Sequence, residues 1–157
     1  MDTTKFQYCQ KLVIFSRDMN KVLLAKRKGE ADFDGVYSFI GGKMEITDKS
    51  IFNGIYREKC EEIGENNTIS IYLDLIHHEL FTKKSGDVMI LPHYICIFEE
   101  GEIELNEEYS DYKWFDIRSI SEIENIIPTV VTIVEKFLNF NDILPKLSKI
   151  KLENINK

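Results

Sequence analysis

The sequence lacks any long apolar run, although 43% of its 157 residues are hydrophobic. A membrane-spanning helix needs about 18 or more consecutive apolar residues, and no segment approaches that length. The first five residues, MDTTK, do not have the pattern of a signal peptide. The composition is ordinary for a soluble globular protein, and we expect a single domain over residues 1–157.

Cysteine is scarce, and the number of cysteines is odd. The three residues Cys9, Cys60 and Cys96 lack the close spacing that is typical of metal-binding sites. An odd, widely spaced set also argues against a disulfide framework. We therefore expect buried free thiols and a reducing, cytoplasmic location.

Positive charge is in deficit, with 20 Lys and Arg against 27 Asp and Glu and a net charge of −7. A chain of this charge is poorly suited to bind nucleic acid or an anionic membrane through a basic surface. A phosphorylated small molecule can still bind when metal ions invert the local sign of the charge. The balance therefore favours a small-molecule partner bridged by metal.

The order of the predicted elements indicates an α+β protein. Strands and one central helix are followed by more strands and a second helix, which predicts helices on both sides of a mixed sheet. Pro92 favours a bulge or a sheet edge within its strand, and Pro128 favours the start of a helix. The predicted strands are 6–16, 21–26, 36–40, 68–80, 88–98 and 112–115, the second helix is 129–140, and residues 141–157 are a tail or a terminal helix.

The most informative stretch is residues 41–64, GGKMEITDKSIFNGIYREKCEEIG. At about 100° per residue, a helix places Glu58, Glu61 and Glu62 on one face, opposite an apolar arc. Like charges at these spacings repel each other and favour a compensating cation. Oxygen ligands of this kind suit a hard divalent ion, Mg²⁺ or Mn²⁺. The alternative is an acidic helix face that is exposed to solvent.

This stretch resembles the Nudix box, GX5EX7REUXEEXGU, in which U is a bulky aliphatic residue. The whole REUXEEXG core is matched apart from its aliphatic position. The matching residues are Gly42, Arg57, Glu58, Glu61, Glu62 and Gly64.

Three positions depart from the pattern. Asp48 stands at the first Glu of the box, and eight residues rather than seven separate it from Arg57. Lys59 and Glu65 occupy the two aliphatic positions. Because Lys59 lies on the apolar arc, we expect its ammonium group to extend past the core towards water.

The resemblance implies an α/β/α sandwich with a mixed sheet between helices, and hydrolysis of a diphosphate linkage in nucleoside diphosphate derivatives. It implies Mg²⁺ or Mn²⁺ held by Glu58, Glu61, Glu62 and the Gly41 carbonyl. It also makes a homodimer an expectation. Arg57 would orient the glutamates, with Asp48 as its partner. Glu108, with Glu107 as the alternative, is the candidate for a further carboxylate that acts as ligand or general base.

Several residues are candidates for holding the substrate. Arg27 and Lys43 are cations that could meet phosphates, or simply be solvated. Phe33, Tyr37 and Phe39 could stack on a nucleobase, although strand alternation predicts that at least one of them fills the core. The stretch 77–79, HHE, lacks the helical spacing of a zinc motif, so we interpret its histidines as structural.

Residues 80–83, LFTK, lack two marks of family subgroups, a proline of ADP-ribose hydrolases and a tyrosine of dinucleoside polyphosphate hydrolases. The first hypothesis is therefore a nucleoside triphosphate pyrophosphohydrolase that releases monophosphate and pyrophosphate. The alternatives are a pyrophosphatase for ADP-ribose or another nucleotide sugar, and a nucleotide-sensing module without catalysis.

Overall fold

The computed structural model describes residues 5–155, which form a mixed eight-stranded sheet with two α-helices. The strand order is β4-β3-β2-β6-β5-β8, with β7 added on β3 and β1 on β6. Strands β1 and β2 run parallel to β6, and the other pairs are antiparallel. The strands are β1 Gln7–Tyr8, β2 Lys11–Phe15, β3 Lys21–Arg27, β4 Tyr37–Ser38, β5 Asn67–Thr82, β6 Val88–Gly101, β7 Tyr109–Asp116 and β8 Lys149–Lys151; the helices are α1 Ile51–Ile63 and α2 Pro128–Leu138.

Alternation along β2 distributes its side chains between two hydrophobic cores. Leu12 and Ile14 pack in one core with Ile55 of α1. Val13 lies in the other core with Ile133 of α2. Because successive strand residues point to opposite faces of a sheet, the two helices cover opposite faces. This arrangement confirms the predicted α/β/α sandwich.

The first helix has well-defined ends. The Ser50 side chain accepts a hydrogen bond from the Asn53 backbone N–H, as an N-cap residue does. At the other end Gly64 adopts φ +83°, and its N–H donates to the Cys60 carbonyl. These caps fix the helix so that its apolar face lies on the sheet.

Pro92 does not mark an edge of the sheet, which is one of the two positions that the sequence favours for it. It lies within β6, opposite His78 of β5. On the other side of β6, β1 ends opposite Ile90 and β2 begins opposite His93. The proline, which has no N–H to donate, therefore stands at the gap between two partner strands.

The C-terminal segment is neither a tail nor a terminal helix over its described part. Residues 149–151 form β8, which pairs antiparallel with Ser70–Tyr72 of β5. Short 3-10 turns at Leu144–Lys146 and Leu152–Asn154 flank this strand. Residues 156 and 157 lie outside the described residues.

The prediction that Lys59 extends towards water is also wrong. Lys59 is only 3% exposed, and its ammonium group donates to the Asn67 carbonyl at 2.8 Å. Burial lowers the pKa of this ammonium group. The lysine thus ends at the first residue of β5, inside the protein.

Within residues 5–155, no helix has the length and apolar character needed to cross a bilayer.

We expect Ile55→Ala to destabilise the protein by about 2–5 kcal/mol, because Ile55 is fully buried between α1 and the sheet and its removal leaves a cavity. Urea unfolding would measure the change. Ile46→Ala is the matched control: Ile46 is fully exposed, so its loss should change the free energy of unfolding by no more than about 0.5 kcal/mol. Equal effects of the two substitutions would contradict the packing described here.

Candidate active site

A glycine pair brings the loop before α1 close to both β2 and the helix. Gly41 has φ +124°, and a Cβ there would overlap the Gln10 carbonyl oxygen. A Cβ on Gly42 would overlap the carboxylate of Glu58. Only residues without a side chain allow this close approach. The two glycines therefore let carboxylates of α1 rest directly on the backbone.

Glu62 is the more deeply buried of the two carboxylates that face this turn, with 3% of its surface exposed. It accepts hydrogen bonds from the Gly41 backbone N–H and, at 2.9 Å, from the Tyr109 hydroxyl. Burial raises its pKa to about 7, against the effect of these donors and of the nearby Lys11. A carboxyl group in this environment is poised to change its charge near neutral pH.

Arg57 joins the other carboxylates of the site in one network. Its Nε and Nη2 atoms each lie 3.0 Å from the Asp48 carboxylate, a bidentate pair. Its Nη1 atom donates to Glu58 at 2.9 Å and to Glu61 at 3.1 Å, and Nη2 also donates to the Lys43 carbonyl at 2.9 Å. Hydrogen bonding to Arg57 lowers the pKa of Asp48. The guanidinium group thus ties α1 to the loop that precedes it.

Glu58 is buried at the same turn, with 8% of its surface exposed. Burial raises the pKa of its carboxyl group, and Arg57 opposes that shift. Glu61, by contrast, is exposed at the rim. The alternative of an acidic helix face exposed to solvent is therefore wrong for Glu58 and Glu62 and holds only for Glu61.

These side chains open onto a cleft of about 700 Å³. This volume lies within the range of pockets that hold nucleotide-sized ligands. Its lining includes most of the residues selected from the sequence. They are Arg27, Phe33, Phe39, Gly41, Lys43, Arg57, Glu58, Glu61, Glu62 and Glu108.

The candidate substrate-binding residues occupy different parts of the cleft. Arg27 pairs with Glu30 at 2.8 Å, while its buried Nε atom has no partner among residues 5–155. Phe39 is 3% exposed and packs edge-on against His93. Phe33 is 45% exposed, at φ +56°. Phe33 is thus open to solvent at the cleft, whereas Phe39 is buried in its wall.

Tyr37 does not line the cleft, which corrects its selection as a stacking residue. It is 8% exposed and belongs to the core beneath α2. Its hydroxyl donates to Asp111 at 2.6 Å, and its ring packs edge-on against Phe115. Phe39, two residues further along, belongs to the same core, as strand alternation requires, and it differs from Tyr37 in also lining the cleft.

The loop before β7 supplies Glu108, while its neighbour Glu107 is not part of the cleft lining. Sequence reasoning missed two further residues of the site, Tyr109 and Lys11. Tyr109 directly follows Glu108, and Lys11 is a single charge at the start of the apolar run 12–15. Neither position indicates a role in the site until the tertiary structure is known.

The donor chemistry of the cleft fits a hard divalent ion, because it consists of carboxylates and the Gly41 carbonyl. Even so, no group of three or more His, Cys, Asp or Glu side chains is arranged to hold a metal within the described part of the chain. Glu62 is engaged by Gly41 and Tyr109, whereas Glu58 and Glu61 are engaged by Arg57. The residues present therefore fit the ion, but the ligand set is not assembled in advance.

A protein-family model and a characterised protein both match this chain. The model of the NUDIX domain family matches residues 11–137. The CTP pyrophosphohydrolase of Escherichia coli (strain K12) is 40% identical over 60 residues, which cover 38% of this chain and 43% of that protein. The match thus spans less than half the length of that relative.

Two solved structures show the same fold at low sequence identity. The MutT protein from Methanosarcina mazei Go1 aligns with a TM-score of 0.72 and 19% identity, covering 90% of this chain and 99% of that one. The NUDIX domain of Shewanella oneidensis NrtR, solved with ADP ribose, aligns with a TM-score of 0.65 and 17% identity, covering 87% and 90%.

The burial of Glu62 predicts a pH-dependent stability of the metal-free protein. Its pKa is about 7 when folded and about 4.5 in the absence of perturbation, so the folded state binds the proton more tightly. The resulting stabilisation is complete below pH about 4.5 and is lost as the pH rises through about 7. Glu62→Gln does not titrate, so its free energy of unfolding relative to wild type should rise by about 2 kcal/mol from pH 5 to pH 8.

Urea unfolding with a chelator at both pH values would measure this difference. Glu65→Gln is the matched control, because Glu65 is exposed and lies three residues further along the chain. A constant difference between Glu62→Gln and wild type at pH 5 and pH 8 would contradict the prediction.

Proposed function

Because the chain belongs to the Nudix family of hydrolases, we propose that it is a divalent-metal-dependent hydrolase that converts a nucleoside triphosphate into monophosphate and pyrophosphate. CTP is the first candidate substrate, since the partial relative is a CTP pyrophosphohydrolase. The observation that carries the proposal is the burial of Glu58 and Glu62 against the Gly41–Gly42 turn, at the wall of a nucleotide-sized cleft.

Nudix hydrolases generally need divalent metal ions. We propose Mg²⁺, or Mn²⁺, held by Glu58, Glu61, Glu62 and the Gly41 carbonyl, with Glu108 as a further ligand or as general base. When bound, the ion supplies positive charge for the diphosphate oxygens and lowers the pKa of water. Its site would use oxygen donors only, as these ions prefer.

The reaction forms one bond and breaks one. The oxygen of water bonds to a phosphorus of the α–β bridge, and the bond from that phosphorus to the bridging oxygen breaks. Glu108 would take a proton from the water, because its carboxylate is exposed in the cleft. Pyrophosphate and the nucleoside monophosphate then leave.

The remaining residues would position the metal ligands and the substrate. Arg57 holds Glu58 and Glu61 in place through its hydrogen bonds and would keep them aimed at the ion. Arg27 and Lys43 would meet phosphate oxygens. Phe33 would contact the base, as aromatic rings in ligand pockets do, and buried Phe39 would form part of the apolar wall of the cleft.

A panel of nucleotides with Mg²⁺ tests the proposal directly. Phosphate released after addition of inorganic pyrophosphatase would measure turnover, and chromatography would identify the monophosphate. CTP, the other nucleoside triphosphates and ADP-ribose belong in the panel, so that the nucleotide-sugar alternative is tested as well. Chelation of the metal should abolish turnover.

We expect Glu62→Gln and Glu58→Gln to lower kcat at least about a hundredfold, because each removes a charged oxygen ligand. Glu65→Gln, which removes an exposed carboxylate just past the helix, should retain full activity. Equal turnover of the three variants and wild type would remove the carboxylates of α1 from the mechanism. Absence of turnover on every nucleotide would favour a nucleotide-sensing module.

Arg27→Gln should raise KM about tenfold with little change in kcat, because the lost cation would bind ground state and transition state alike. Steady-state kinetics on the best substrate of the panel would measure both constants. Arg17→Gln is the control, because Arg17 is 79% exposed and lies outside the cleft lining. An unchanged KM for Arg27→Gln would exclude phosphate binding by this residue.

A further inference from the structure

Lys11 places a positive charge of the chain's own inside the carboxylate cluster. Its ammonium group donates to the Gly41 carbonyl oxygen at 2.9 Å. This is the backbone oxygen that the proposed function assigns to the metal. The side chain is half-buried and lines the cleft beside Glu58 and Glu62.

The backbone fixes Lys11 opposite the glycine turn. The residues on either side of Lys11 both bond to that segment: Gln10 N–H donates to the Gly42 carbonyl at 2.8 Å, and Leu12 N–H donates to the Ile40 carbonyl at 3.0 Å. Lys11 lies between these two hydrogen bonds, so its Cα cannot move away from Gly41 without breaking them. The contact is therefore built into the sheet.

The carboxylates around the glycine turn differ in the cations that lie near them. Arg57 is committed to Asp48, Glu58 and Glu61. Among residues 5–155, the groups that donate to Glu62 are neutral, the Gly41 N–H and the Tyr109 hydroxyl. Burial raises the pKa of both Glu58 and Glu62, and the charge of Lys11 acts in the opposite direction on each of them. Lys11 is thus a cation that lies beside Glu62 in the cleft.

A second cation at this place would have to compete with the first. Two positive charges within a few ångströms of each other repel strongly in a half-buried site, because the effective dielectric constant there is far below that of water. The lone pair of the Gly41 oxygen that receives the ammonium hydrogen is also unavailable to a metal. A carbonyl oxygen has two lone pairs, so a divalent ion that binds this oxygen must either share it with the ammonium group, against charge repulsion, or displace that group.

We propose that Lys11 is a positioning residue that holds the Gly41 carbonyl in the metal-free protein and weakens the binding of the divalent ion by competing for that oxygen. The inference rests on the proposed metal site. Lys11 would thus set the affinity for the divalent ion without contacting the substrate.

Binding of Mn²⁺ to the metal-free protein, measured by electron paramagnetic resonance at one fixed pH without nucleotide, tests the proposal. Lys11→Met keeps the aliphatic stem and removes the charge, so Kd for Mn²⁺ should fall on the order of tenfold or more. Lys11→Gln also lacks the charge but keeps an N–H donor that can compete for the Gly41 oxygen, so it should bind Mn²⁺ more tightly than wild type but less tightly than Lys11→Met. Either variant suffices if the other does not fold.

Two controls separate this effect from general electrostatics and from a failure of the metal site. Lys26→Met removes a half-buried lysine of β3 that does not line the cleft, and its Kd should match that of wild type. Glu62→Gln should weaken Mn²⁺ binding if the metal site exists. Weak binding by every variant and by wild type would overturn the proposed metal site.

Normal binding by wild type with equal or weaker binding by the Lys11 variants would overturn the role of Lys11 alone. If Lys11 served only to hold β2 against the glycine turn, its substitution would lower the free energy of unfolding without tightening Mn²⁺ binding. Urea unfolding of the same proteins would identify that result.

Discussion

The burial of two carboxylates against a glycine turn is the constraint on which the site depends. Glu58 and Glu62 are almost fully removed from water, and a buried carboxylate is unfavourable unless it is hydrogen-bonded or paired. Arg57 pairs with Glu58, whereas Glu62 has neutral donors and the nearby charge of Lys11. The cleft therefore holds more negative charge than its own cations balance, which is the condition that favours a divalent ion and an anionic substrate together.

The sheet makes this arrangement rigid. Strand β2 contributes apolar residues to both cores, and its first residues hydrogen-bond to the glycine turn. Helix α1 is capped at both ends and anchored by Ile55 on one face of the same sheet. The carboxylates therefore project from a packed helix onto a backbone that is held by the neighbouring strand, and this suits a site that must keep its geometry while charge changes.

The sequence predicted the fold, and the family match over residues 11–137 confirms the resemblance found in residues 41–64. The other predicted strands and α2 agree with the structure apart from their ends, because apolar periodicity is a local property, but the predicted strand 6–16 is divided into β1 and β2. Pro92 was misplaced because a proline tolerated between two partner strands looks like a proline at an edge. Lys59 was misplaced because the Asn67 carbonyl that receives it belongs to a different element.

The sequence by itself determined which side chains share a helix face, since the period of 3.6 residues places Glu58, Glu61 and Glu62 together in any context. It also determined that glycines precede this helix. Only the tertiary structure decided that Glu62 is buried under Tyr109, that Tyr37 turns into the core, and that Lys11 reaches the Gly41 carbonyl. These contacts join residues far apart in the chain, and they depend on which strands become neighbours in the sheet, a choice that no local pattern encodes.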